Sequence, residues 1–180
     1  KAVPVKGFCT DVFFDYAKRF IRKVKDDEKP FFVYLCTNAP HGPMHSPEKS
    51  SAPYKKQGVN VANFFGMISN IDDNVGAMRE FLKKEGLTDN TIFIFTTDNG
   101  TSSGARVFND GMRGAKGSEY DGGHRVPFFI RWPNGKIQGG ADLSEMALHI
   151  DLLPTFMELC GLEYNAPLDI DGQSVAPILR

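Results

Sequence analysis

Residues 91–97 have the sequence Thr-Ile-Phe-Ile-Phe-Thr-Thr, and Asp98-Asn99-Gly100 follows them directly. A short run of apolar and β-branched residues that ends in a turn sequence is typical of a buried strand. Residues 31–36 and residues 127–132 are similar apolar runs. The sequence therefore predicts three buried strands, and a long polar segment follows each of the first two.

Three helices are predicted from the spacing of apolar residues. Over residues 10–24 these residues recur at the i, i+4, i+7 and i+8 positions of an amphipathic helix, with Thr10 or Asp11 as its N-cap. The same reasoning predicts helices over residues 61–85 and 151–160, each ended by the glycine that follows. Buried strands that alternate with helices indicate an α/β fold, with a largely parallel sheet that has helices on both faces.

The composition limits the class of protein. The chain has 180 residues, a formal net charge of −1 and 41% hydrophobic residues, which predicts a single globular domain over residues 1–180. The small net charge argues against a nucleic-acid partner, and no apolar run approaches the roughly 20 residues of a membrane span. Three cysteines cannot form a closed set of disulfides, and Cys36 and Cys160 are predicted to be buried like small apolar residues.

Two segments lack a pattern of regular structure, residues 37–60 and residues 98–126, and each follows a predicted strand. Long loops within a compact domain are usually functional. Ligands of open α/β sheets bind outside the carboxyl ends of the strands, where these two loops begin. We therefore expect the functional site in these loops.

The first loop presents His41 and His45 among several prolines, which restrict the backbone. A histidine there can hydrogen-bond an anion or donate a proton to a leaving group near neutral pH. The alternative is a loop histidine that packs against the neighbouring prolines. That alternative stays open for His41 and is favoured for His45.

The second loop opens with Asp98 and Asn99, whose carboxylate and amide oxygens are ligands that Ca²⁺ accepts. Taken alone, an Asp-Asn-Gly sequence is more often a simple turn. Further along, Arg113, Lys116 and Arg125 place positive charge among glycines, where it could bind an anion. A solvent-exposed glycine loop with balanced charges is the alternative interpretation of that segment.

The order of these motifs resembles that of the sulfatase family in the alkaline phosphatase superfamily. The resemblance covers nearly the whole chain and rests on the motifs Ala-Pro-His-x-Pro (39–43), Thr-x-Asp-Asn-Gly (96–100), Arg-Gly-x-Lys-Gly (113–117), Gly-Gly-x-Arg-Val-Pro (122–127) and His-Ile-Asp-Leu-Leu-Pro-Thr (149–155). One departure is Asp121, where the family usually has Glu. The change keeps the carboxylate.

The resemblance implies a three-layer α/β/α fold and an enzyme that hydrolyses sulfate esters with one Ca²⁺. Asp98 and Asn99 match two metal ligands of the family, Lys116 matches the lysine that contacts the sulfate group, and His41 matches the histidine beside the ester oxygen. We also expect substrate contacts from His45, Arg113 and His124.

The family nucleophile is a formylglycine made from Cys or Ser in a Cys/Ser-x-Pro-x-Arg motif, and this chain contains no such motif. We therefore expect the C-terminal portion of a sulfatase catalytic domain, without the N-terminal nucleophile segment and without the small C-terminal subdomain. The isolated chain is expected to be inactive and to self-associate through exposed sheet surface. The family also implies an exported enzyme, whether periplasmic, secreted or lysosomal.

Two alternatives remain. A phosphatase or phosphodiesterase of the same superfamily would have a similar architecture, but such relatives typically place Asp-His after the strand rather than Asp98-Asn99. A non-catalytic binding protein could keep the fold and lack the nucleophile.

Overall fold

A computed structural model of the chain describes residues 4–137, 139–163, 165 and 169–180. The chain divides into two compact units, which are described separately. The first consists of residues 1–86 and 97–126, and the second of residues 87–96 and 127–180. The described residues are mainly helical, and one two-stranded sheet accompanies the helices. The expectation of a single domain stays a prediction.

The first unit is built on two long helices that the apolar spacing predicts within two residues. Its elements are α1 (Cys9–Val24), α2 (Glu48–Ser51), a 3₁₀ turn (Ala52–Gln57), α3 (Val59–Lys84) and α4 (Asp121–His124). Phe14, Ala17 and Ile21 of α1 are buried at helical spacing, and α1 packs against α3. Gly86 has a φ of +72° and follows the end of α3, as predicted. The elements α2 and Ala52–Gln57 lie in a region that the sequence analysis left without regular structure.

A buried polar cluster joins α1 to α3. Helix α1 begins at Cys9 with Phe8 as its N-cap, so the prediction of Thr10 or Asp11 as the N-cap is wrong. Asp11 instead accepts hydrogen bonds from the side-chain amides of Asn70, at 2.8 Å, and Asn74, at 2.7 Å. Asn70 is only 1% exposed. Because a buried amide requires a partner, Asp11 holds α1 in one position on α3.

We expect Asp11→Ala to lower the free energy of unfolding by about 1–3 kcal/mol, because it leaves the buried Asn70 amide without its acceptor. Urea unfolding measures the change. Asp15→Ala is the matched control, since the Asp15 side chain is 63% exposed and makes only a 3.9 Å ion pair with Lys18. Equal losses in the two variants would contradict this role of Asp11.

The sheet lies in the second unit and is antiparallel. Strand β1 (Phe93–Thr96) pairs with β2 (Phe128–Arg131), with Phe93 opposite Arg131. Both strands lie within their predicted ranges, but the expectation of a largely parallel sheet is wrong for the described residues. A parallel connection needs a crossover of about a dozen residues or more, usually a helix, and the four-residue α4 is the helix between these strands.

Residues 31–36 are not a strand in the structure, although the sequence predicts one. Exposure alternates along the segment, and Phe32 and Tyr34 are 72% and 82% exposed. A strand requires ladder bonds to a neighbouring strand, and these residues belong neither to the pair of β1 and β2 nor to the isolated bridge of Trp132 with Ile137. Self-association through exposed sheet surface stays a prediction.

Both cysteines predicted to be buried are exposed. Cys36 lies on the exposed side of the alternating segment, where a side-chain hydrogen bond between Tyr34 and Cys36 raises the pKa of Tyr34. Cys160 is exposed at the last position of its helix. The apolar residues around each cysteine in the sequence indicated burial. An extended segment or the end of a helix is buried, however, only where another element covers it.

The second unit packs its helices around a small core. Besides the strands it contains 3₁₀ turns at Pro133–Gly135 and His149–Asp151, and helices α5 (Leu152–Cys160) and α6 (Ala176–Leu179). The buried residues Ile137, Leu159 and Ala176 form the core. Asp151 accepts hydrogen bonds from the backbone amides of Gln173 and Leu148, at 2.8 and 2.7 Å. These bonds, with Gln173 the larger cause, lower the pKa of Asp151.

Because its pKa is lowered by folding, the Asp151 carboxylate stabilises the folded chain above its ordinary pKa, and this stabilisation is lost as the pH falls through the folded-state value. We expect Asp151→Asn to reduce the loss of stability between about pH 5 and about pH 2. Thermal unfolding across this range measures it, with the exposed Asp142→Asn as control. An unchanged pH dependence in Asp151→Asn would contradict the assignment.

No helix in the described part of the chain combines the length and the apolar character needed to cross a membrane.

Candidate functional site

The His41 loop is held by its own backbone and by α3. The His41 amide donates to the Asn38 carbonyl at 2.9 Å, and His41 Nδ1 lies 3.0 Å from the Gly42 carbonyl oxygen. A carbonyl oxygen only accepts, so this contact assigns a proton to Nδ1 and leaves Nε2 for another partner. His41 and His45 are both exposed.

Asn63 of α3 anchors the same loop, a role that the sequence analysis missed. Its side-chain amide donates to the Met44 carbonyl at 2.9 Å, and its oxygen accepts from Ser46 at 3.2 Å. Gly66 lies one turn further along α3, where a Cβ would come within 2.9 Å of the Ser51 Cα. The helix therefore lets the backbone of this region approach closely and fixes its course.

The Asp98–Gly100 segment begins two residues after β1 and contacts the glycine segment that ends in α4. The Asn99 side-chain amide donates to the Asp98 carboxylate, so the two polar side chains converge. The Gly100 amide donates to the Gly123 carbonyl at 2.9 Å. A Cβ on Gly100 would lie 1.9 Å from the Gly122 carbonyl oxygen, so this close approach requires glycine.

Lys116 is brought to this segment by a second backbone bond. Its amide donates to the Thr101 carbonyl at 3.1 Å, and the Gly122 amide donates to the Arg113 carbonyl at 2.8 Å. Asp98, Asn99, Lys116 and Arg113 thus belong to one network of backbone contacts. No described hydrogen bond joins His41 or His45 to it, and a common cleft for His41, Asp98 and Lys116 stays a prediction.

The side chains of this network differ in how firmly they are held. The Arg113 guanidinium lies 3.7 Å from the centre of the Tyr120 ring, a cation–π contact that restricts it. His124 Nε2 lies 3.0 Å from the Glu119 carbonyl oxygen. Lys116 is exposed, and among the described residues no carboxylate pairs with its ammonium group. Its charge is therefore available to an anion.

Asp98 and Asn99 have the chemistry of calcium ligands, but two residues are fewer than the ion requires. A carboxylate and an amide that converge beyond a strand suit Ca²⁺, which takes about six to eight oxygen ligands. Within the described residues no group of three or more His, Cys, Asp or Glu side chains could hold a metal. These two residues would therefore supply a minority of the ligands.

Two glycines of this loop have a structural role. Cβ atoms on Gly122 and Gly123 would lie 2.4 Å and 2.1 Å from the carbonyl oxygens of Gly114 and Ser118. In the structure these glycines let the loop approach its own backbone.

We expect Gly100→Ala to destabilise the chain by about 1–3 kcal/mol, because the added methyl group overlaps the Gly122 carbonyl and separates the two segments. Urea unfolding gives the value. Gly76→Ala on α3 is the matched control: its Cβ would meet no described atom within 4 Å, and alanine favours a helix by up to about 1 kcal/mol. A Gly100→Ala chain as stable as Gly76→Ala would contradict the close contact.

Residues 3–162 match the family model described as Sulfatase. The uncharacterized sulfatase YdeN of Escherichia coli (strain K12) is 34% identical over 183 residues, which cover 99% of this chain and 32% of that protein. The endo-4-O-sulfatase of Bacteroides thetaiotaomicron is 31% identical over 177 residues, which cover 86% of this chain and 34% of that protein. The crystal structure of Ps i-CgsB in complex with k-i-k-neocarrahexaose superposes with a TM-score of 0.89 at 33% identity, covering 98% of this chain and 39% of that one.

The chain thus spans about a third of the length of these curated relatives. The structural similarity agrees with an alkaline-phosphatase-like fold. The matches do not support the expected position in the C-terminal portion of the catalytic domain.

Proposed function

Because the chain belongs to the sulfatase family, we propose that it forms part of an enzyme that hydrolyses sulfate esters. The observation that carries the proposal is the network in which backbone bonds join the Asp98–Gly100 segment to the loop of Lys116. It brings two candidate oxygen ligands and a lysine with no described carboxylate partner into one part of the first unit. Carbohydrate sulfates are the favoured substrates over aryl sulfates, because one relative is an endo-4-O-sulfatase and a similar structure binds a neocarrahexaose.

In this proposal Lys116 binds the sulfate group. Its ammonium group is exposed and has no described carboxylate partner, so it can approach a sulfuryl oxygen and offset negative charge that develops there. Arg113, His45 and His124 are proposed to contact the rest of the substrate. The stack on Tyr120 keeps the Arg113 guanidinium in place before substrate arrives.

His41 is proposed to assist the leaving alcohol. With Nδ1 hydrogen-bonded to the Gly42 carbonyl, the ring is oriented, and in the doubly protonated form of the ring Nε2 carries the proton that the ester oxygen takes as its bond to sulfur breaks. Asp98 and Asn99 would hold Ca²⁺, which when bound offsets charge on the sulfuryl oxygens. The formylglycine nucleophile would come from residues outside this chain. Export from the cytoplasm stays a prediction from the family.

We expect Lys116→Ala, in a longer protein that contains this chain and the nucleophile, to lower kcat for 4-nitrophenyl sulfate by about 10²–10³-fold, because one preorganised positive charge is lost. Lys56→Ala removes an exposed lysine of the same unit and is the matched control. The isolated chain, which lacks the nucleophile, is expected to give no turnover in the same assay.

The same assay with 4-nitrophenyl phosphate tests the alternative functions. Asn99 after Asp98 favours one hard cation over a two-zinc phosphatase site. A longer protein that cleaves the phosphate faster than the sulfate would be a phosphatase or phosphodiesterase. One that cleaves neither would be a non-catalytic relative. Either result would overturn the proposed function.

A further inference from the structure

A concave surface lies within the first unit, formed by residues other than those assigned above. It is a cleft between the first turn of α3 and the loop of residues 102–107, here named the 102–107 loop. Its volume is about 230 Å³. Pockets for drug-sized ligands measure roughly 300–1,000 Å³. The cleft therefore suits one monosaccharide-sized group rather than a whole oligosaccharide.

The shape of the 102–107 loop is determined by its own hydrogen bonds. The Thr101 hydroxyl donates to the Ser103 carbonyl at 2.9 Å, and the Val107 amide donates to the Gly104 carbonyl at 2.8 Å. Gly104 is buried with a φ of +77°, and a Cβ there would lie 2.8 Å from the Phe64 ring of α3. This glycine lets the loop rest directly on the helix, so the cleft is a formed feature of the unit.

The residues that line the cleft suit a sugar. Asn60, Ser102 and Ser103 offer amide and hydroxyl groups that can both donate to and accept from sugar hydroxyls. Val61 and Val107 offer apolar surface to the C–H groups of a ring. A wall that alternates hydroxyl-bonding and apolar groups matches a pyranose better than it matches a purely ionic or a purely apolar ligand.

Arg106 places a positive charge at the cleft, which favours a ligand with a negative charge. It lines the cleft, its side chain is exposed, and within the described ranges no carboxylate or aromatic ring pairs with it. A guanidinium group forms paired hydrogen bonds with the oxygens of a sulfate or carboxylate group. The ligand that best complements this cleft is therefore a sugar that carries an acidic group.

The cleft is connected to the proposed cleavage site through one short segment. Thr101 accepts the backbone bond of Lys116, and Ser102, the next residue, lines the cleft. Asp98 lies only a few residues before it along the same segment. We propose that the cleft binds an anionic sugar unit of a polymer, with Arg106 contacting its sulfate or carboxylate, while the sulfate ester of another unit is cleaved. The inference rests on the proposed function, because that function supplies a carbohydrate sulfate as substrate.

The test is calorimetric binding of three tetrasaccharides to the longer protein, with EDTA present to prevent turnover. Chondroitin 4-sulfate tetrasaccharide carries sulfates and carboxylates, hyaluronan tetrasaccharide carries carboxylates alone, and chitotetraose is neutral. We expect one or both anionic sugars to bind more tightly than chitotetraose. Binding of the hyaluronan sugar would identify a carboxylate as sufficient, and binding of the chondroitin sugar alone would identify sulfate as the recognised group.

Arg106→Ala should weaken binding of the anionic sugar about tenfold and leave chitotetraose unchanged, and Arg106→Lys should restore part of the loss. Arg79→Ala on α3 removes another exposed arginine of the same unit and should change nothing. Equal affinities for Arg106→Ala and Arg79→Ala, or tight binding of chitotetraose, would overturn the inference.

The outcome separates the two proposals. A protein that cleaves 4-nitrophenyl sulfate but binds all sugars alike in the Arg106→Ala and wild-type forms keeps the proposed function and loses the sugar cleft. If the protein has no sulfatase activity but Arg106→Ala still weakens binding of the anionic sugar, the anionic-sugar site is supported and the proposed function is overturned. The bound sugar could then no longer be assigned to a polymer that the protein cleaves.

Discussion

The packing of α3 is the constraint on which the first unit depends. The helix buries Phe64, Met67, Met78, Phe81 and Leu82, and it supports α1, α2 and the 102–107 loop at different points along its length. Each supported segment meets the helix through a specific contact: Asp11 through Asn70, the His41 loop through Asn63, and Gly104 through Phe64. A rigid helix with several such contacts can hold long loops in place, although the loops contain little regular structure of their own.

The candidate site depends in turn on how closely the backbone can approach itself. The contact of Gly100 with Gly122 and Gly123 leaves no room for a side chain. That contact, together with the bond from the Lys116 amide to the Thr101 carbonyl, joins the segment of Asp98 and Asn99 to the loop of Lys116. These glycines disfavour regular helix and strand, and their lack of a side chain is what allows the backbone contacts of the network. The side chains of Asp98 and Lys116 can stay exposed because backbone hydrogen bonds, rather than these side chains, hold the segments together.

Of the four arginine and lysine residues within residues 98–126, two have described partners and two do not. Lys116 and Arg106 are exposed, and neither has a described carboxylate partner, whereas Arg113 stacks on Tyr120 and Arg125 lies 3.8 Å from Asp121. Lys116 and Arg106 are the residues proposed to bind an acidic group directly. Arg113 is held by Tyr120 where it is proposed to contact the substrate, and Arg125 has a structural partner. A site that cleaves one sulfate and a neighbouring cleft that holds a second acidic sugar would make use of both Lys116 and Arg106.

The sequence by itself determined the three longer helices and indicated the family. Helical spacing of apolar residues predicted α1, α3 and α5 to within two residues, because burial of one face imposes that spacing directly on the sequence. The motifs around His41, Asp98 and Lys116 led to the family that the comparisons show. Only the tertiary structure decided which elements pair. Residues 31–36 have the composition of a strand but are not one, β1 and β2 run antiparallel, and Cys36 is exposed. Strand pairing, burial and the contacts of Asp11 and Gly100 each depend on a second segment distant in the chain, and local sequence does not specify that neighbour.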